Sequence, residues 1–489
     1  MSNIKILDML KEKVKGRISE GVNKKRFKPV FVIVLGFIVL ILLGSLLLSL
    51  PFTHKPGIEI SYIDALFTSV SASCVTGLFT LPGGIIGNFN SIGIVIIMIL
   101  IQLGGLGAAI VGAFIFIIVS KHLSFDQQSI IKESWNLSGS KGLKKIFGLV
   151  FLIVFSAELV GAILLFLDFR FVHPEYFGDS LYKTIGAAVF TSISAFNNAG
   201  FDLFGAASLG YQQNDYFLLI VIAILIIGGG LGFMVWIDIF KKKFHWKKFT
   251  FHTKVVLFMT VALLLIGTLL IFLSENVLND LSYSSGSPKM TFFGSFFMSV
   301  SCRTAGFSMY NLGETRSTTL IIMMILMIIG ASPGGTGGGI KTTTFYVVIL
   351  RVISLVSKKK SHGFGRSVPS KSVTKAMMIF FLTLVLIITA ITLISSFEGE
   401  GNYIKDGIVY KTPMEGAMRY GTLDYMTEIC SAVGTVGLST GITSYLGVGS
   451  KIVLIVLMYF GRLGPLSITQ IFNKKEPNWS YPEEDITIG

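Results

Sequence analysis

Apolar runs at 30–50, 92–119, 146–168, 216–236, 255–273, 318–356, 376–395 and 452–471 alternate with more polar connections along the chain. At about 1.5 Å of rise per residue, each run is long enough for a hydrocarbon core of about 30 Å. The pattern predicts eight membrane crossings. The outer connections carry a shorter element: semi-apolar stretches from Tyr62 to Ser73, Leu181 to Phe196, Thr291 to Cys302 and Leu423 to Ala432. These are too short to span and suit re-entrant half-helices.

A glycine-bearing turn follows each stretch. The turns read Ser73-Cys74-Val75-Thr76-Gly77-Leu78, Ala195-Phe196-Asn197-Asn198-Ala199-Gly200-Phe201, Ser301-Cys302-Arg303-Thr304-Ala305-Gly306-Phe307 and Val433-Gly434-Thr435-Val436-Gly437-Leu438. A second motif recurs in the next long helix, as Gly104-Gly105-Leu106-Gly107, Gly229-Gly230-Leu231-Gly232, Gly330-Ala331-Ser332-Pro333 and Gly461-Arg462-Leu463-Gly464. Two motifs in the same order, four times over, mark internal repeats. Each repeat begins on the same side and crosses twice, so the copies are parallel and can surround an axis along the membrane normal.

The expectation is an all-α integral membrane protein with eight transmembrane helices, arranged as four pseudo-fourfold helix–pore-loop–helix repeats around one pore. Residues 29–119, 144–240, 253–357 and 372–471 form the repeats, between an N-terminal segment at 1–28 and a tail at 472–489. Leu7, Leu10, Val14, Ile18 and Val22 have helical spacing in the N-terminal segment. That amphipathic helix suits either the inner leaflet surface or a docking partner.

Composition changes the picture only in detail. The chain is 52% hydrophobic and 14% charged, which suits a membrane protein rather than a soluble one. The net charge of +14 could suggest nucleic acid, but the basic residues concentrate in 1–28, 120–146, 240–254, 351–375 and 472–489. Basic connections stay cytoplasmic, so both termini are expected inside and 51–90, 169–214, 274–316 and 397–448 outside. The excess is topological, with the lipid bilayer and not nucleic acid as its partner. Cys74, Cys302 and Cys430 each stand near a glycine turn without metal-ligand spacing, and are expected to be small buried residues without disulfide or metal. No cluster of catalytic side chains stands out, so an enzyme is not expected.

Four converging turns can replace an ion's hydration shell with carbonyl oxygens, and irregular backbone at membrane depth is tolerated where it lines such a cavity. Gly77, Gly200, Gly306 and Gly437 are the filter candidates, with K+ on their backbone carbonyls. The full filter runs through Val75, Thr76 and Gly77; Asn198, Ala199 and Gly200; Thr304, Ala305 and Gly306; and Thr435, Val436 and Gly437. The threonine and asparagine side chains either coordinate the ion or hold the loops by hydrogen bonds. A half-helix leading into the filter turns its negative dipole end to the axis, which favours cations. Arg303 is expected to point away from the axis and brace its turn through backbone carbonyls. Asp64, Asp424 and Glu428 either attract cations or anchor half-helices, and Glu158 is expected to pair with a neighbour.

The sixth crossing is interrupted at 330–344, where Gly334, Gly335, Thr336, Gly337, Gly338 and Gly339 precede Lys341. That composition ends a helix, and the segment is expected to gate the pore from below the filter. Ile340 breaks the Gly-Lys-Thr that a phosphate-binding loop needs, so no nucleotide is expected there. Arg462 takes the place that Gly105 and Gly230 hold in their repeats, which puts a charge near the axis at the gate. It serves as an electrostatic barrier or as a donor to the gate's carbonyls.

These turns, the Ser-Pro-Gly-Gly-Thr loop at 332–336 and the arginine of the last helix resemble the Trk/Ktr/HKT superfamily of potassium uptake proteins over essentially the whole chain. Eight crossings make the likeness greatest to the Ktr membrane subunit. The resemblance implies K+ uptake across a prokaryotic plasma membrane, with Na+ dependence open, and a homodimer with one pore per protomer. It further implies a cytosolic ring of RCK-type (KtrA-like) subunits that bind ATP or ADP. Gly77 stands where the more Na+-permeable plant relatives carry serine, which favours K+. The competing expectation is a secondary cation transporter that alternates access around a broken helix.

Overall fold

The structure is a computed structural model that describes residues 29–107, 143–178, 180–205, 208–277, 290–357, 360–399, 402–405, 408–410 and 418–464. The N-terminal amphipathic segment and the tail expected at 472–489 lie outside the described residues.

Helices dominate. In chain order they are α1 (Pro29–Leu48), α2 (Tyr62–Cys74), α3 (Ser91–Leu106), α4 (Leu143–Leu167), α5 (Leu181–Phe196), α6 (Tyr216–Gly230) and α7 (Phe233–Lys241). They continue with α8 (Phe251–Phe272), α9 (Phe292–Ser301), α10 (Ser317–Ile328), α11 (Thr342–Ser357), α12 (Ser370–Glu398), α13 (Thr422–Gly434) and α14 (Val448–Leu463). The four short elements expected before the glycine turns are α2, α5, α9 and α13. Caps fix where three helices begin: the Ser61 hydroxyl accepts from Asp64 N, the Thr291 hydroxyl from Gly294 N, and the Asp215 carboxylate from Leu218 N.

The all-α expectation needs a correction in the connections. A two-stranded antiparallel pair, β1 (His362–Gly363) and β2 (Arg366–Ser367), follows α11. A three-stranded antiparallel sheet in the order β4-β3-β5 lies between α12 and α13, from β3 (Asn402–Lys405), β4 (Ile408–Tyr410) and β5 (Met418–Tyr420). Ladders satisfy the backbone of polar connections that no helix could bury.

Three helices end just before the last glycine of the recurring motif, and the parts of the expected crossings at 108–119 and 465–471 lie outside the described residues. Gly107 (φ 86°, ψ 133°), Gly232 (φ 92°, ψ 137°) and Gly464 (φ 80°, ψ 138°) adopt one backbone conformation outside the helical region. Side chains other than hydrogen resist that φ, so the glycine terminates the helix. At Gly232 the chain turns by 92° between α6 and α7, which corrects the expected unbroken crossing at 216–236. Among the described residues, 146–172, 251–276 and 370–398 are single helices long and apolar enough to cross a membrane, with the bent α6–α7 pair as a fourth candidate.

Neighbouring elements pack in a repeating order. Three half-helices pack between the helices before and after them, as α1–α2–α3, α4–α5–α6 and α12–α13–α14, and the half-helix of the third repeat, α9, packs on the preceding α8. Each post-turn helix also packs on the next half-helix: α3 on α5, α6 on α9, α10 on α13, and α14 back on α2. The contacts therefore form a closed cycle, which the ion pair from Lys451 Nζ of α14 to Asp64 Oδ1 of α2 reinforces at 2.8 Å.

A small-residue contact recurs three times. A Cβ on Gly44, Gly161 or Gly267 would run into the side-chain oxygen of Ser69, Ser192 or Ser299 and into Leu100, Leu225 or Leu326, in that order. The serine hydroxyls donate to backbone carbonyls of the same long helices, at Ile41, Glu158 and Leu264. Glycine lets these backbones approach closely, as apolar helices in lipid require for packing.

Candidate ion pathway

The four turn glycines lie against one another. Built Cβ atoms on Gly77, Gly200, Gly306 and Gly437 would meet the carbonyl oxygens of Ala199, Ala305, Val436 and Thr76, which closes a cycle around the four turns. All four have positive φ, of 99°, 70°, 83° and 98°. The carbonyls turned toward neighbouring glycines are thus those of the residues just before each glycine.

Two positions before each glycine stands a non-glycine residue in the left-handed region: Val75, Asn198, Thr304 and Thr435, with φ of 58°, 58°, 68° and 49°. The backbone therefore pairs Thr304 and Thr435 with Val75, and Thr76 with Ala199, Ala305 and Val436. Aligning the four turns on their glycines gives the same register. Serines supply a hold that sequence reading missed. Gly77 N and Gly437 N donate to the Ser71 and Ser431 hydroxyls at 3.0 Å each. In the other two turns the Ser194 and Ser301 hydroxyls donate to the carbonyls of Phe201 and Phe307. The signal was a serine five or six residues before every glycine.

Three of the four side chains two positions before the glycines, those of Asn198, Thr304 and Thr435, reach the interrupted crossing. The Asn198 amide meets the Thr336 hydroxyl at 2.9 Å, and Gly338 N donates to Thr435 Oγ1 at 3.0 Å. A Cβ on Gly337 would strike the Thr304 side chain. Three successive loop residues thus seat against three turns.

The interruption is shorter than expected at its end, because α11 already begins at Thr342 and residues 342–344 are helical. Its two ends pinch together through Gly330 N to Ile340 O (2.9 Å) and Ile340 N to Ile328 O (3.1 Å). The α6–α7 bend grips its other side: Ser332 N donates to Gly230 O at 3.0 Å, Thr336 N to Gly229 O at 3.2 Å, and Phe233 N to Gly334 O at 3.0 Å. The glycine motif of the second repeat is therefore the dock for the loop, a role its sequence did not reveal. Lys341 Nζ folds back on Gly337 O at 2.6 Å.

Arg462 connects three elements. Its guanidinium donates to Thr336 O of the loop, to Gly104 O, and to Gly105 O at 3.0 Å. The equivalence read from sequence has a packing counterpart: built Cβ atoms on Gly104, Gly229 and Gly461 would meet the carbonyls of Ser73, Phe196 and Val433, each four residues before its turn glycine.

Charged residues behind the turns act as anchors. Glu428 is fully buried, accepting from the Ser439 hydroxyl (2.6 Å), Thr440 N (3.1 Å) and the Thr443 hydroxyl (2.7 Å). Replacing Glu428 with alanine strands three donors at about 1–3 kcal/mol for each that stays unsatisfied. The variant is expected to unfold several degrees lower in a thermal melt in detergent, and Glu428→Gln to lose less. Glu158 accepts from Asn197 Nδ2 at 2.9 Å and Gln102 Nε2 at 3.2 Å, the neighbour pairing that was expected. Arg303 points from its turn toward Thr260 of α8, 3.5 Å from the hydroxyl. Its brace is a side chain on a neighbouring helix, which corrects the expected carbonyl contacts. Cys74, Cys302 and Cys430 are free thiols, all buried.

Four glycine turns in a closed cycle, with a glycine-rich loop and an arginine beneath them, describe a membrane protein of the cation-transport class. The chain belongs to the TrkH cation transport protein family, whose model matches residues 25–481. It is 38% identical over 472 residues to the potassium/sodium uptake protein NtpJ of Enterococcus hirae, covering 95% of this chain and 98% of that one. Against the Ktr system potassium uptake protein B of Bacillus subtilis it is 35% identical, covering 95% and 97%. The fold is similar to the crystal structure of the potassium transporter TrkH from Vibrio parahaemolyticus, with a TM-score of 0.66 and 19% identity over 92% of this chain and 86% of that one.

Proposed function

We propose that this chain takes K+ into a prokaryotic cell across the plasma membrane, through one pore at the centre of four pseudo-fourfold repeats, with both termini cytoplasmic. The carrying observation is the closed cycle of Gly77, Gly200, Gly306 and Gly437 against the carbonyls of Thr76, Ala199, Ala305 and Val436. Those carbonyls and the glycines' own would replace water around a dehydrated cation. Residues 330–341 form the gate, which Arg462 and the α6–α7 bend hold shut beneath the filter. The relatives' names, potassium/sodium uptake protein and potassium uptake protein, support K+ with Na+ as a second or coupled ion.

The name "Ktr system" supports a multi-component assembly. Control is assigned to a cytosolic RCK-type ring that binds ATP or ADP beneath a homodimer of this chain, with no nucleotide on this chain. The test is 86Rb+ uptake into vesicles holding the purified chain, with K+ or Na+ as competitor and with the ring added or omitted. Uptake blocked by K+ at concentrations where Na+ has little effect is expected. Equal block by both ions overturns the selectivity, and no uptake under any condition overturns the pore.

A further inference from the structure

Apart from the residues of the pathway, a cluster of polar side chains stands where α4 ends and α6 begins. The geometry points to a binding site for a divalent transition-metal ion, Zn2+ or Mn2+, formed by Asp168, His173 and Asp215. One ligand atom from each of the three lies within 4.8 Å of the others, and among the described residues no further such group of His, Cys, Asp and Glu occurs.

Local backbone assembles the cluster. The last turn of α4 widens into a π-helix at Asp168–Val172, and His173 N bonds to Asp168 O at 2.9 Å, which folds the histidine over the aspartate. Asp215 comes from the N-cap of α6, where Oδ1 is engaged by Leu218 N at 3.0 Å. Its Oδ2 is left on the cluster side, 3.6 Å from His173 Nε2. Two ligand atoms on one tetrahedral Zn2+ at about 2.0–2.2 Å stand about 3.4 Å apart, which that spacing matches.

Three observations favour a metal over a plain polar contact. Asp168 is only 1% exposed, yet both of its carboxylate oxygens lack a hydrogen-bond partner. A buried carboxylate without donors is costly, and a cation supplies what is missing. His173 Nδ1 faces Glu175 Oε1 at 2.9 Å. In the neutral ring this makes Nδ1 the donor and leaves the Nε2 lone pair toward the two aspartates, the carboxylate–histidine–metal relay of natural sites. Tyr176 donates to Asp215 Oδ2 at 3.2 Å, a second orienting bond. Imidazole with two carboxylates selects a transition metal over K+, Mg2+ or Ca2+, which take oxygen ligands. The bound ion would staple the end of α4 to the start of α6.

The test titrates ZnCl2 by calorimetry into the purified full chain in detergent, stripped of metal beforehand, with Mn2+ followed by electron paramagnetic resonance as a second probe. Saturable binding of one ion per chain is expected. Asp168→Asn and His173→Ala should each weaken it at least tenfold, Glu175→Gln about tenfold, and His362→Ala should leave it unchanged. His173 is partly exposed, so His173→Ala decides the matter if Asp168→Asn fails to fold. No saturable binding of either metal, or undiminished binding in His173→Ala, overturns the site. A chain that transports Rb+ but binds neither metal overturns this inference alone and leaves the transport reading intact.

Discussion

Arg462→Ala should raise resting Rb+ flux by about tenfold or more. The guanidinium holds Thr336 O of the loop and Gly104 O and Gly105 O of α3 together. Hydrogen bonds from a charged donor are worth about 1.5–3 kcal/mol each, and a closed state weakened by only about 1.4 kcal/mol already shifts its ratio to the open state tenfold. Removing the charge also lowers the barrier that a cation meets, so both roles act in the same direction. Arg462→Lys separates them, because lysine keeps the charge and loses the planar fork that spans three carbonyls. Low flux in the lysine variant assigns the effect to charge, and high flux assigns it to the clamp. Unchanged flux in Arg462→Ala would rule out both. Uptake of 86Rb+ into vesicles, normalised to the protein inserted, is the measurement.

Gly306→Ala should reduce flux by about a hundredfold or more. Gly306 has φ +83°, and its Cβ would strike Val436 O and come within 2.8 Å of the Gly200 Cα. Left-handed backbone costs a non-glycine residue about 1–2 kcal/mol. The larger effect is positional, since the methyl group meets rigid backbone of two other turns and must displace the carbonyls themselves. Gly57→Ala is the matched control, with φ +78° and nothing within 4 Å of its Cβ. It carries a similar backbone penalty in open space and should leave flux within about twofold. Equal losses in the two variants would mean that strain alone, and not the ring, explains the effect.

Much of this was legible in the sequence, for a physical reason. Half-helices and glycine turns are local: their length, apolarity and composition are set within about twenty residues, so Tyr62–Cys74 and Leu181–Phe196 appear where the pattern put them. What escaped depends on contacts between distant segments. The Gly229-Gly230-Leu231-Gly232 motif reads as apolar helix, and only its docking against Ser332, Gly334 and Thr336 shows it as a bend. Counting back from each glycine already set Val75 beside Thr304 and Thr435, and the positive φ shared by Val75, Asn198, Thr304 and Thr435 follows that register. The glycine–serine–leucine contacts were also missed: Gly44, Ser69 and Leu100 carry no chemistry in isolation and meet only when three helices pack. The small strands at 402–420 lie in polar connections whose periodicity is too short to separate from loop.

The position of the bound cation is the decisive property of the carbonyl ring. Anomalous scattering from crystals of the protein grown in RbCl locates the ion directly. A Rb+ peak is expected on the axis among the carbonyls of Thr76, Ala199, Ala305 and Val436, reduced when NaCl replaces RbCl. Rb+ bound elsewhere with no density in that ring would contradict the proposed pathway.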